Sequence, residues 1–165
     1  MNIYITTGTH DFLKKIEAKY SGETMVTMIN PNGSLLLHET MGKSVFNAPR
    51  KYEAIGASGK LPTKEGFVVM NNIPINEEER PLFEHQISNQ GNQAANDAGF
   101  IALRILRPLT SNTYIIMTVW ENEANYEKWK GSQSYFPSYD TKGTIDPQQK
   151  IFQSAPYISE YMITE

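Results

Sequence analysis

Hydrophobic and polar positions alternate along this chain in short blocks, and the period of each block predicts an element. Residues 3–6 read as a strand, and Thr9 then supplies the N-cap of a helix with Phe12, Leu13 and Ile16 at helical spacing as far as about Lys19. Residues 25–29 read as a strand, Asn30-Pro31-Asn32-Gly33 as a turn, and residues 34–39 as the hairpin partner. The stretch 45–55 is expected to hold a short helix with Pro49 near its start. Residues 56–66, rich in Gly, Pro and charge, read as a linker.

The second part has a clearer pattern. Residues 67–73 form an apolar strand, and Asn76 opens a capping box with Glu79. Glu77, Glu78 and Glu79 suit the positive end of a helix that runs to about Gln90, with Leu82, Phe83 and Ile87 inward and Pro81 restricting its first turn. Residues 100–107 and 114–121 read as strands around a turn at Leu109-Thr110-Ser111-Asn112. Residues 123–130 form a helix with Tyr126 and Trp129 inward, and residues 157–164 a final strand.

Both parts therefore run strand, helix, strand, strand, short helix, and Leu37-His38-Glu39 parallels Val119-Trp120-Glu121. The expected fold is α+β, with two ferredoxin-like units, the first shortened. Residues 1–58 would cover the sheet built by residues 66–165, and the two sheets would pack as a single-chain imitation of a dimer.

Composition narrows the function. The 165 residues are 39% hydrophobic, 11% aromatic and 20% charged, values of a globular chain long enough to bury a core. There is no cysteine, which excludes a disulfide framework, a thiolate nucleophile and an iron–sulfur site and fits a reducing compartment. A net charge of -3 argues against nucleic-acid binding, which needs clustered Lys and Arg. No apolar run is long enough to span a membrane, and residues 1–6 do not resemble a signal peptide. A cytoplasmic protein with neither nucleic-acid nor membrane partners is expected.

Conventional catalytic constellations are missing. His10, His38 and His85 show no metal-ligand spacing, and His85 stands roughly opposite Phe83 and Ile87 at helical pitch. Asp11, Glu39 and the run Glu77 to Glu79 read as capping or solvated charges. No Gly-rich phosphate loop and no nucleophile elbow occur. Two residues stand out instead. Asn71 is an amide inside an apolar strand, and Trp129 ends the last helix before the aromatics Tyr135, Phe136 and Tyr139. Such a pair either flanks an apolar cavity fit for a large flat ligand or belongs to the core, with the amide paired across the sheet.

The segments Phe67-Val68-Val69-Met70-Asn71, Ala98-Gly99-Phe100, 114–121 and Tyr126-Glu127-Lys128-Trp129-Lys130, with Ser134 beyond, resemble the antibiotic-biosynthesis-monooxygenase (ABM) superfamily. More narrowly they resemble its IsdG-type haem-degrading members, in the longer Gram-positive branch that also holds a staphylococcal signalling protein. The resemblance implies haem as substrate and oxygen-activating centre, no other cofactor, and an external electron donor such as a reductase. It implies Asn71 and Trp129 as catalytic residues: the amide beside the distal face, the indole pressing the porphyrin into a ruffled shape. Phe83 and Ile87 would form the apolar wall against haem. The family's iron-ligating His falls at Tyr139, which as tyrosinate would suit ferric haem, would otherwise hydrogen-bond a water, or would do neither. His85 is the alternative iron ligand in the matched region. A monomer is expected, because residues 1–58 take the place of a second subunit. Competing readings are a haem or porphyrin carrier or sensor, a signalling protein using His10 or His38, and a haem-free oxygenase of a polycyclic aromatic.

Overall fold

The computed structural model describes residues 1–62, 64–88, 97–130 and 155–164. The first half comprises β1 (Asn2–Gly8), α1 (His10–Lys19), β2 (Thr24–Asn30), β3 (Gly33–Thr40) and β4 (Arg50–Ser58). The second comprises β5 (Gly66–Pro74), a 3-10 turn (Glu77–Glu79), α2 (Arg80–Ser88), β6 (Phe100–Pro108), β7 (Thr113–Trp120), α3 (Glu123–Lys130) and β8 (Tyr157–Ile163). The eight strands close into a barrel in the order β1-β3-β2-β8-β5-β7-β6-β4, with every pairing antiparallel.

That order contains the same four-strand unit twice. Within β4-β1-β3-β2 and within β8-β5-β7-β6 the strands lie fourth, first, third, second. Register confirms the correspondence. Tyr4 pairs with His38 and Lys51 as Val69 pairs with Thr118 and Glu160. The halves join edge to edge, β2 to β8 and β4 to β6, so closure pairs the strand edges that each half alone would expose. The β2–β8 seam is short, with Met28 opposite Ile163 and Ile29 opposite Met162.

Strand parity sorts the core. Ile3, Ile5, Val26, Met28, Leu35 and Leu37 point into the lumen and meet Val68, Met70, Leu106, Ile115, Met117 and Val119 from the second half. The outer face of the second half carries Phe67, Val69, Ile73, Leu103, Ile116 and Trp120 beneath Phe83 and Ile87 of α2 and Tyr126 and Trp129 of α3. The outer face of the first half is thinner: Leu13 of α1 packs on Met25 and Leu36, flanked by Ile16, Tyr20 and Phe46.

Three expectations are corrected. No helix occupies 45–55; β4 runs through Tyr52 to Ser58 and bulges between Ala54 and Gly56. A strand forms there because β1 and β6 offer open edges on either side, which outweighs the helical reading of a weakly patterned segment. The linker accordingly begins after Ser58, at Gly59, whose φ of 75° and Cβ position 2.0 Å from the Ile101 oxygen admit only glycine. Leu82 is not inward: it is 46% exposed, because the inner stripe of this short helix follows its neighbour Phe83; on α1 likewise Leu13 is buried and Phe12 is 56% exposed. The expected cap of α1 is present: the Thr9 hydroxyl accepts from Phe12 N at 3.3 Å. The expected capping box is a further correction: Asn76 makes no side-chain cap, because Glu77–Glu79 wind as a 3-10 turn ahead of α2.

Candidate functional site

The outer face of β5 is where the site is built. Phe67, Val69, Asn71 and Ile73 share one strand face, so the apolar pattern that buries this strand also carries the Asn71 amide under the helices. Asn71 lies between Ile116 on β7 and Ile158 on β8. Helix α3 begins where the Asn122 carboxamide oxygen accepts from Asn125 N at 2.9 Å, and its i, i+3 pair Tyr126 and Trp129 turns inward. Trp129 packs on Trp120 with ring centroids 5.1 Å apart and on Tyr126 at 6.1 Å.

Between this helix and the sheet lies a narrow cleft of about 20 Å³. Val69, Asn71, Ile116, Thr118 and Ile158 form its floor, and Tyr126 and Trp129 its roof. The lining is apolar and aromatic with a few convergent polar groups, the composition of a small-molecule site. That volume is room for about one water and far below the roughly 300–1,000 Å³ usual for such sites, so a large planar ligand enters only if α3 moves well away from the sheet. At the rim, on β8, burial pushes the Glu160 carboxyl above its ordinary range; Glu123 and Glu127 push the same way and Lys130 opposes them.

Asn71 and Trp129, separated by more than fifty positions, thus face the same cleft. Phe83 and Ile87 are buried in the same apolar cluster but line no part of the cleft; Phe83 packs edge-on against Tyr114, with centroids 4.8 Å apart. His85 is exposed on α2 and is not part of the cleft lining. Tyr139, with Ser134, Tyr135 and Phe136, lies outside the described residues. Among the described residues no group of three or more His, Cys, Asp or Glu side chains could hold a metal ion. Sequence reasoning missed Thr118, Ile116 and Ile158. Their signal was parity: Ile116 and Thr118 alternate with the lumen residues Ile115, Met117 and Val119.

A polar network clamps α2 beside the site. Arg107 on β6 donates to Glu84 from Nη2 at 2.6 Å and from Nε at 3.0 Å, and to Glu53 on β4 at 2.5 Å. The Tyr114 hydroxyl donates to Glu84 as well. The Arg107 hydrogen bond is the main reason the Glu84 carboxyl lies below its usual range. Burial first, and then the Glu84 contact, push the Tyr114 phenol up.

Residues 66–136, which supply β5, β6, β7 and α3, match the family model described as "Antibiotic biosynthesis monooxygenase". The ABM match is confined to residues 66–136. The matched segment contributes Asn71, Thr118 and Trp129 to the cleft, and β8 completes the floor. Among curated relatives, a heme-degrading monooxygenase of Listeria monocytogenes is 27% identical over 130 residues, 79% of this chain and 77% of that one. A signal transduction protein TRAP of Staphylococcus epidermidis is 24% identical over 162 residues, 98% of this chain and 96% of that one. The same fold occurs in a solved structure described as a major regulator of staphylococcal pathogenesis, with a TM-score of 0.85, 23% identity and coverage of 99% of this chain and 98% of that one. The two-unit barrel is therefore shared over its whole length, beyond the ABM match.

Proposed function

We propose that this chain is a haem-degrading monooxygenase that binds haem as its substrate, opens the porphyrin oxidatively and releases iron. The observation that carries the reading is the meeting of Asn71 and Trp129 across one apolar cleft within the ABM match. The Listeria relative named as a heme-degrading monooxygenase supports it.

The residues fit such a substrate in kind. A flat apolar ring would be held by burial between Val69, Ile116 and Ile158 below and Trp129 above. Haem would supply the redox-active iron for oxygen activation, and electrons would come from an external reductant. Asn71 would donate its carboxamide N–H to the reacting oxygen and orient it. Trp129, backed by Trp120 and Tyr126, would act as a stiff wall pressing on the ring. Phe83 and Ile87 would act one layer out, as the packing that fixes α2, and Tyr139 is proposed as an iron ligand with His85 as its alternative. The unit 1–58 would take the place of a partner subunit beside the ABM unit 66–165, leaving a monomer; a stable dimer in sedimentation at micromolar concentration would count against this.

The test is a haemin titration of the purified protein, then ascorbate in air with catalase present. A saturable Soret band that bleaches with release of iron is expected. No band at all overturns the proposal. A band that forms and persists would favour a haem carrier or sensor, a reading given weight by the TRAP relatives, which align over nearly the whole chain.

A further inference from the structure

The repeat of the fold draws attention to His38. His38 stands opposite Tyr4 on β1 and Met25 on β2, as Thr118 stands opposite Val69 on β5 and Leu103 on β6. Thr118 lines the cleft, so His38 occupies the corresponding place on the first half. The cover differs. The second half lays α3 over this face; the first half has only the loop of residues 41–49 between β3 and β4.

His38 is fully buried, and among the described residues neither ring nitrogen has a hydrogen-bond partner. Its ring lies 6.2 Å from that of Tyr4 and 5.8 Å, edge-on, from that of Phe46. Glu23 Oε1 is 3.6 Å from Nε2, just beyond hydrogen-bond length but within ion-pair distance, and its side chain is 43% exposed. The other titratable groups around this face are the Tyr4 hydroxyl, which bonds the Gly42 carbonyl, Lys51 opposite Tyr4 on β4, Lys43 on the loop, and Lys19 and Tyr20 at the end of α1.

The cover is lightly held. Phe46 is the loop's apolar anchor, packed with Ile16 and Tyr20 against the cluster under α1. Its backbone N–H is satisfied within the loop, by Ser44 Oγ. Ala48 holds a φ of 50°, a left-handed conformation that costs a non-glycine residue energy and that an open loop would relieve.

We propose that His38, Glu23 and Phe46 form a proton-operated latch: the neutral imidazole keeps the 41–49 loop closed, and protonation drives Phe46 off and opens this face. An imidazolium at this position would lose its hydration and gain only one half-exposed carboxylate, at 3.6 Å, whereas an open loop gives it water. Burial, the dominant influence, holds the His38 imidazole below its ordinary range, and Glu23 opposes it only in part. Protons therefore bind the open form more readily than the closed one. Opening grows as pH falls below the ordinary imidazole value and levels off where the buried ring itself protonates.

Hydrogen exchange of residues 41–49, corrected for intrinsic rates, tests the latch alongside the ring NMR titration of His38. Between pH 7.5 and 5.5 the opening of this segment in the unaltered chain is expected to increase up to about tenfold, as an exposed imidazole would dictate, with β5 and β7 unchanged. His38→Met should abolish the increase. Glu23→Gln should move the plateau to lower pH and enlarge the total opening. A pH-independent loop, or the same pH dependence in His38→Met, overturns the latch. Should His38→Met fail to fold, an unmoved plateau in Glu23→Gln overturns it equally.

Discussion

Arg104 on β6 reaches Glu39 on β3 with 2.7 Å between Nε and Oε2, bridging over β4 and β1 to tie the two halves of the barrel together. Both side chains stem from lumen-facing positions, and Arg104 is buried. Its remaining N–H groups donate to the carbonyls of Ser58 and Gly59, at 2.9 and 2.8 Å, and of Leu103. A guanidinium so enclosed is stabilised only while all its partners are in place. Arg104→Ala, which strands Glu39 and three carbonyls, is expected to cost about 3–5 kcal/mol in urea denaturation. The paired replacement Arg104→Leu with Glu39→Leu should cost clearly less. Equal losses would show that the pair contributes packing and little else.

Gly59 belongs to the same end of the barrel. A Cβ there would lie 2.0 Å from the Ile101 oxygen, and φ is 75°. Gly59→Ala should therefore destabilise by more than about 1 kcal/mol, since strain outweighs the reduced freedom of the unfolded chain. A rise in thermal midpoint would contradict this.

In the cleft, Asn71→Ala should lower haem turnover more than haem affinity, because the amide is assigned to the reacting oxygen and not to holding the ring. Trp129→Phe keeps an aromatic roof and should bind haem while degrading it several-fold more slowly. Absorbance titration and single-turnover bleaching separate the two effects. Affinity lost with turnover unchanged would reverse the Asn71 assignment, and full turnover in Trp129→Phe would remove the indole's pressing role.

Acid should weaken the clamp on α2. Arg107 holds the Glu84 carboxyl below its ordinary range, so the contribution of Glu84 is present above the unfolded value of about 4.3 and fades as pH falls through the folded one. Glu84→Gln is expected to cost about 1–3 kcal/mol at neutral pH, since the charged hydrogen bonds to Arg107 are weakened. The variant should also show a flatter stability profile below about pH 4.3. Denaturation measured from neutral to acid pH checks both, and parallel profiles for the two proteins would remove Glu84 from the acid response.

Much of the local structure was legible. The turn Asn30-Pro31-Asn32-Gly33, the apolar strand β5 and the inward pair Tyr126 and Trp129 follow from residue period and turn chemistry, which act over a few positions. The resemblance around residues 67–130 also singled out Asn71 and Trp129, which the fold brings to one cleft. Strand β4 was not legible. Arg50, Lys51 and Glu53 are exposed or half-exposed, and mainly Tyr52 is committed to the core, so the segment carries little pattern; two distant strand edges make it a strand. The share of each residue in the site was equally hidden. Thr118 enters the cleft through cross-strand register, and Phe83 and Ile87 stop one layer short because α2 packs on Tyr114 and Ile73.

The sequence by itself determined which residues turn inward along each element, since strand parity and helix pitch are local. Only the tertiary structure decided which edges pair, which half covers which, and what lies over each outer face. Those outcomes depend on satisfying strand-edge backbone groups and apolar faces far apart in the chain. His38 shows the difference: parity sends it outward from the lumen, yet it is fully buried, with Tyr4 of β1 on one side and Phe46, on a loop eight residues later, on another.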